Sequence, residues 1–300
     1  MSYILKITNL CKSYGKQKVL DGLNMKVPEG AIYGFVGKNG AGKTTLIRLI
    51  CGLQYPDGGE VEICGFKNTN AARKRMGAIV ETPSLHLNMT AKENLQIQFD
   101  TIGIKDYSSI DSLLEFVGLA DTGKKVAKNF SLGMRQRLAI AIAMCNNPDF
   151  LVLDEPINGL DPQGIIDVRE LLIKINQEKG ITILISSHIL DELAKVATHY
   201  GFISNGKIVA EMSAEELAAS GQRKLILYVN KVENIPYAMA DLSNQYDIAD
   251  NNIVHVYGNV VVTDLILALH KHEIIVHRLI EVDESLEEHF FELLGGADNA

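Results

Sequence analysis

The stretch AIYGFVGKNGAGKTTLIRLICGL, Ala31 to Leu53, decides the fold. AIYGFV has the β-branched and aromatic content of a buried strand, GKNGAGKT (Gly37–Thr44) reads as a tight loop, and TLIRLICGL repeats its apolar residues at helical spacing. Glycines in such a loop let backbone N–H groups curl round phosphates, while a lysine reaches the terminal phosphates and a threonine hydroxyl can hold Mg²⁺. Gly37, Asn39, Gly40, Ala41, Gly42, Lys43, Thr44 and Thr45 are therefore candidates for binding a nucleotide. A plain glycine-rich strand-to-helix turn is the alternative, and the flanking strand and helix favour the phosphate reading.

Working outward, the chain has 300 residues, 47% of them hydrophobic, enough for one large domain and a second small one. The formal net charge of −8 is spread without a strong basic block and argues against binding nucleic-acid phosphates. Cys11, Cys51, Cys64 and Cys145 lie far apart with no CxxC pair, which suggests neither a zinc cage nor a disulfide framework and fits reducing cytoplasm. The start, MSYILKITNL, lacks a secretory pattern, and no apolar run nears the roughly 18 residues of a membrane span.

Runs such as ILKIT, AIYGFVG, FLVLDEP and ITILIS alternate with helical patterns, as in a largely parallel α/β core. Between about residues 90 and 147 the pattern is mostly helical and reads as an inserted subdomain. A capping box at Ser213 and Glu216 opens a helix that Gly221 ends, so a domain over residues 1–221 is expected. Residues 222–300 then form a small α/β domain, with strands in KLILYV, NIVHVYG and EIIVHRLIEV and helices in PYAMADLSN, TDLILALHKH and SLEEHFFELL. His270, His272, His277 and His289 match no compact metal-ligand spacing.

FLVLDEP ends an apolar run in two acids, as a buried strand does at a catalytic edge. There Asp154 would hold Mg²⁺ and Glu155 would orient the attacking water, although solvated acids at a strand end give the same pattern. His188, in SSHIL, sits at the end of another core strand and could contact the γ-phosphate, although a structural histidine fits that place as well. In NFSLGMRQR, Ser131 and Gly133 stand at a helix start, either as an anion site or as a simple cap.

GKNGAGKTT, SLGMRQR, FLVLDEP, NGLDP and SSH, in this order and spacing, resemble the ATP-binding subunits of ABC transporters over about residues 3 to 220. The resemblance implies a phosphate-loop ATPase core with an inserted helical subdomain. It implies adenine stacked on Tyr14, a member of CKSYG, and an Asp161-bearing loop linking two active sites. It further implies that Ser131 and Gly133 meet the γ-phosphate of ATP held by a partner cassette, either a second copy or a related ATPase subunit.

Leu132 and Met134 replace a Gly and a Gln of the family signature, and Glu81 stands where the family usually carries a Gln that contacts Mg²⁺. A carboxylate can still bind Mg²⁺ through oxygen. With Glu81, SLGM and the ending SLEEHFFELLGG, the chain is most similar to the subfamily that exports bacitracin and lantibiotic peptides. The expected protein is then an ATPase peripheral to the inner face of the cell membrane, using ATP and Mg²⁺ to drive a separate polytopic subunit. A soluble ABC ATPase of ribosome function or DNA maintenance is the alternative. The second cassette or long coiled-coil insertion of those relatives is missing here.

Overall fold

Gly15 and Lys16 alone separate two long strands, β1 (Tyr3–Tyr14) and β2 (Gln17–Pro28), and so short a turn can only reverse the chain. ILKIT, expected in the parallel core, therefore lies in an antiparallel sheet of order β2-β1-β4-β5. The computed structural model describes residues 2–283 apart from 68–69, 82–83, 221–222, 243–244, 251 and 259. Its contacts divide the chain into two units, Met1–Ala214 and Glu215–Ala300.

In the first unit β3 (Ile32–Val36) leads through the glycine loop into α1 (Lys43–Ile50), followed by β4 (Gly58–Ile63), β5 (Phe66–Lys67), α2 (Asn70–Arg73) and β6 (Met76–Ile79). The helical block comprises α3 (Ala91–Thr101), α4 (Ile110–Phe116) and α5 (Leu132–Met144). Thr90 and Glu93 cap the start of α3 reciprocally, and Leu95, Phe99, Ile110, Leu114, Phe130 and Leu138 are buried in this block. The chain returns through β7 (Phe150–Asp154), α6 (Pro162–Lys179), β8 (Thr182–Ser187), α7 (Leu190–Leu193), β9 (His199–Ser204) and β10 (Lys207–Ser213).

The central sheet has the order β10-β9-β3-β8-β7-β6, parallel except for β10 at its edge. β3, β7 and β8 are buried at every position, which is why each reads as a continuous apolar run rather than an alternating one. Leu46, Ile47 and Ile50 of α1 share one apolar core with Leu5, Leu10 and Leu23 of the antiparallel sheet and with Phe35, Phe150 and Leu184 of the central sheet. Packing on two sheets fixes α1, and with it the loop before it.

The division falls after Ala214, the first residue of α8 (Ala214–Ser220), where a boundary after Gly221 was expected. It continues β11 (Arg223–Val229), α9 (Ile235–Leu242), β12 (Tyr246–Asp250), β13 (Ile253–Tyr257), α10 (Val262–Lys271) and β14 (Val276–Asp283). This βαββαβ order folds as an antiparallel sheet β12-β13-β11-β14. Leu225, Leu227, Val254 and Val256 form a core with Ile235, Met239, Leu265 and Leu269. The expected helix SLEEHFFELL, with His289, lies outside the described residues.

Candidate functional site

The glycine loop is held by contact as well as by backbone freedom. A Cβ on Gly37 would sit 2.7 Å from the carbonyl oxygen of Ile203, and Gly42, at φ +111°, would meet Leu20. Gly42 occupies the N-cap of α1 and brings no side-chain cap, which leaves the first-turn amides of that helix for an anion. Lys43 is 6% exposed; its Nζ donates to the Gly37 carbonyl at 2.6 Å and lies 3.5 Å from a Glu155 oxygen.

The tips of β7 and β8 supply the acids. Asp154 ends β7, is 4% exposed, and accepts a hydrogen bond from the Thr44 hydroxyl at 3.0 Å and another from the Ser186 hydroxyl at 2.5 Å. Among the described residues it has no ion-pair partner, and a buried carboxylate flanked only by hydroxyls suits a hard divalent cation. Burial pushes the nearby Cys51 thiol up to about 12, and the charge of Asp154 adds to that shift. Glu155 leaves the strand with φ +48° and points elsewhere: His188 Nδ1 is 2.9 Å from its second oxygen.

Val19, Asn39, Gly40, Gly42, Lys43, Thr44, Thr45, Glu155, Asn158 and His188 line an open cleft of about 350 Å³. The expected phosphate-loop residues, the acids and His188 are thus neighbours at the carboxyl edge of the parallel strands. Other expected residues lie elsewhere. Tyr14, 44% exposed at the end of β1, does not line the cleft; its hydroxyl donates to Gln54, and Lys12 lies over its ring. Glu81 pairs with Arg48 of α1 rather than facing the cleft, with φ +61°.

Ser131 caps α5, its hydroxyl oxygen accepting from the Met134 N–H at 3.2 Å, and Gly133 is buried in the first turn; neither lines the cleft. Asp161 caps α6, accepting from the Gly164 N–H at 3.2 Å, ahead of Pro162 at the first turn. Sequence reasoning missed Val19, Asn158 and Ser186. Asn158 stood within the quoted NGLDP and Ser186 within SSH, so both were in view; Val19 gave no signal.

Residues 20–158 match the ABC transporter family. The chain is 42% identical to the bacitracin transport ATP-binding protein BcrA of Bacillus licheniformis over 99% of both chains. It is 44% identical to the lantibiotic transport ATP-binding protein SrtF of Streptococcus pyogenes over 69% of this chain and 90% of that one. Among solved structures, cbiO1 of Clostridium perfringens, part of the ABC transporter complex cbiONQ, superposes with a TM-score of 0.66 at 27% identity, covering 73% of this chain and 92% of its own. A dimeric ATP-binding cassette in a post-hydrolysis state with ADP and Pi bound gives 0.62 at 25% identity, covering 70% of this chain and 98% of its own. No described helix is long and apolar enough to cross a membrane. Read with the cleft, these likenesses mean that the chain belongs to the ABC transporter family, as an ATP-binding subunit that hydrolyses ATP.

Proposed function

We propose that this subunit powers a separate polytopic membrane subunit, at the inner face of the cell membrane, that transports an antimicrobial peptide of the bacitracin or lantibiotic kind. The observation that carries this reading is the 42% identity to the bacitracin protein over 99% of both chains, the second unit included. The likeness to the lantibiotic protein supports the peptide class over the shorter span.

Within the cleft, the loop Gly37–Thr45 and Lys43 bind the ATP phosphates, and Tyr14, outside the lining described, stacks on adenine. Thr44 and Asp154 hold Mg²⁺; Glu81 can join them only after leaving Arg48. Bound Mg²⁺ supplies positive charge against the charge developing on the transferred phosphoryl group. Glu155 orients water and accepts its proton, and His188 turns from Glu155 toward the γ-phosphate. Ser131 and Gly133, outside this cleft, serve the ATP of a second cassette, a copy or a relative; the dimeric neighbour supports such pairing.

Expression of the chain with its membrane subunit in a bacitracin-sensitive bacterium tests the proposal. The inhibitory concentrations of bacitracin and lantibiotics should rise, and Lys43→Ala should cancel the rise. An assembled, ATP-hydrolysing complex that leaves both concentrations unchanged refutes the peptide assignment; absence of the chain from the membrane fraction refutes the pairing with a membrane subunit.

A further inference from the structure

We infer that Ser186 is a positioning residue for ATP hydrolysis, whose one hydroxyl sets both Asp154 and Glu155. Ser186 is fully buried in β8, directly opposite Asp154 in the parallel register, and does not line the cleft. Its hydroxyl donates to Asp154 at 2.5 Å, and the same oxygen accepts the Glu155 N–H at 3.0 Å. A hydroxyl has one proton to give and two lone pairs to offer, so the two bonds coexist. The Ser186 carbonyl also accepts that N–H, at 3.2 Å.

These bonds fall where the backbone needs them. Glu155 holds a left-handed φ of +48°, unfavourable for a residue with a Cβ, and this turn sends its carboxylate toward Lys43 and His188 while Asp154 faces Thr44. Thr44 fixes one oxygen of Asp154 and Ser186 the other. Without the Ser186 hydroxyl, Asp154 keeps a single donor and can rotate about its side chain, and the Glu155 amide keeps only a carbonyl. Among the described residues the Ser186 hydroxyl bonds to Asp154 and Glu155 and makes no hydrogen bond to the loop Gly37–Thr44, so nucleotide binding without metal should not depend on it.

The inference rests on the roles proposed for Asp154 and Glu155, so Asp154→Asn and Glu155→Gln are measured beside Ser186→Ala in the purified full chain. Binding of a fluorescent ATP analogue in EDTA should stay within about twofold of wild type. The affinity of the ADP complex for Mn²⁺, read by electron paramagnetic resonance, and kcat should each fall about five- to a hundredfold, the range for a lost partner of a buried charged acceptor. Ser186→Cys, which fills the site with a weak donor, should fall between, and it carries the test if the alanine variant does not fold. Unchanged Mn²⁺ affinity, with or without a loss of turnover, overturns the inference, because loss of turnover alone marks a merely structural residue. Full turnover in Asp154→Asn and Glu155→Gln overturns the underlying assignment instead, and the two failures are distinct.

Discussion

Glu155→Gln separates binding from chemistry. The substitution keeps the size of the side chain and removes its charge, 3.5 Å from the Lys43 ammonium. At an effective dielectric constant of about 20, a pair at that distance attracts by about 5 kcal/mol before solvation is counted. If a fifth of that survives desolvation, about 1 kcal/mol now holding Lys43 to Glu155 becomes available for phosphate, and ATP binds about fivefold tighter. Loss of one negative charge from a cleft that receives a polyanion acts in the same direction. Chemistry moves the other way: a positioned general base contributes about 10²- to 10⁴-fold, and an amide cannot take the proton. The expected variant therefore binds a fluorescent ATP analogue more tightly, yet releases phosphate at least about a hundredfold more slowly. Turnover within about threefold of wild type, or binding weaker than wild type, refutes this account of the cleft.

Lys43→Ala removes the donor to the Gly37 carbonyl together with the proposed phosphate contact, and hydrolysis should be abolished; a phosphate-release assay at saturating MgATP checks it. Ser131→Asp preserves the cap of α5 and adds an anion, so the melting temperature should hold and ATP binding by the monomer should be normal while turnover falls at least about tenfold. Hydrogen bonds from the Thr90 amide and hydroxyl hold the Glu93 carboxyl below its ordinary 4.5, so its share of stability is complete above that value and is lost as pH falls through the lower, folded one. Amide exchange at the first turn of α3 should accelerate over that acid range in wild type and show no such dependence in Glu93→Gln.

What could be read from the sequence was what is local along the chain. The loop Gly37–Thr44, the acids after FLVL and the histidine after SS each follow or end a buried strand, and parallel strands deliver their tips to one edge, so short motifs located most of the cleft. Contacts between distant positions were not visible. Tyr14 meets Gln54, Glu81 meets Arg48, and neither pairing leaves a trace in spacing or periodicity. Ser186 stands in SSH, but its two partners are seen only with β8 in register with β7. In the second unit, YDIAD escaped notice as β12 because it is an exposed edge strand with little apolar alternation.

The two adjacent acids have opposite electrostatic surroundings, and the backbone between them is the cause. Had Glu155 continued β7 in extended conformation, strand alternation would have sent its side chain to the far face of the sheet. The turn to φ +48° brings it instead to the sheet edge, where it meets the Lys43 ammonium and the His188 ring, while Asp154 keeps hydroxyl partners and, among the described residues, no ion pair. A left-handed conformation at a residue with a side chain costs on the order of 1 kcal/mol, and bonds from the Glu155 N–H to both Ser186 oxygens offset it. Under the roles proposed for them, Asp154 is then placed for a cation brought with the nucleotide, and Glu155 gives up its present partners to the phosphates before it takes a proton from water. On that proposal, binding before proton transfer follows from one backbone angle and the serine that holds it.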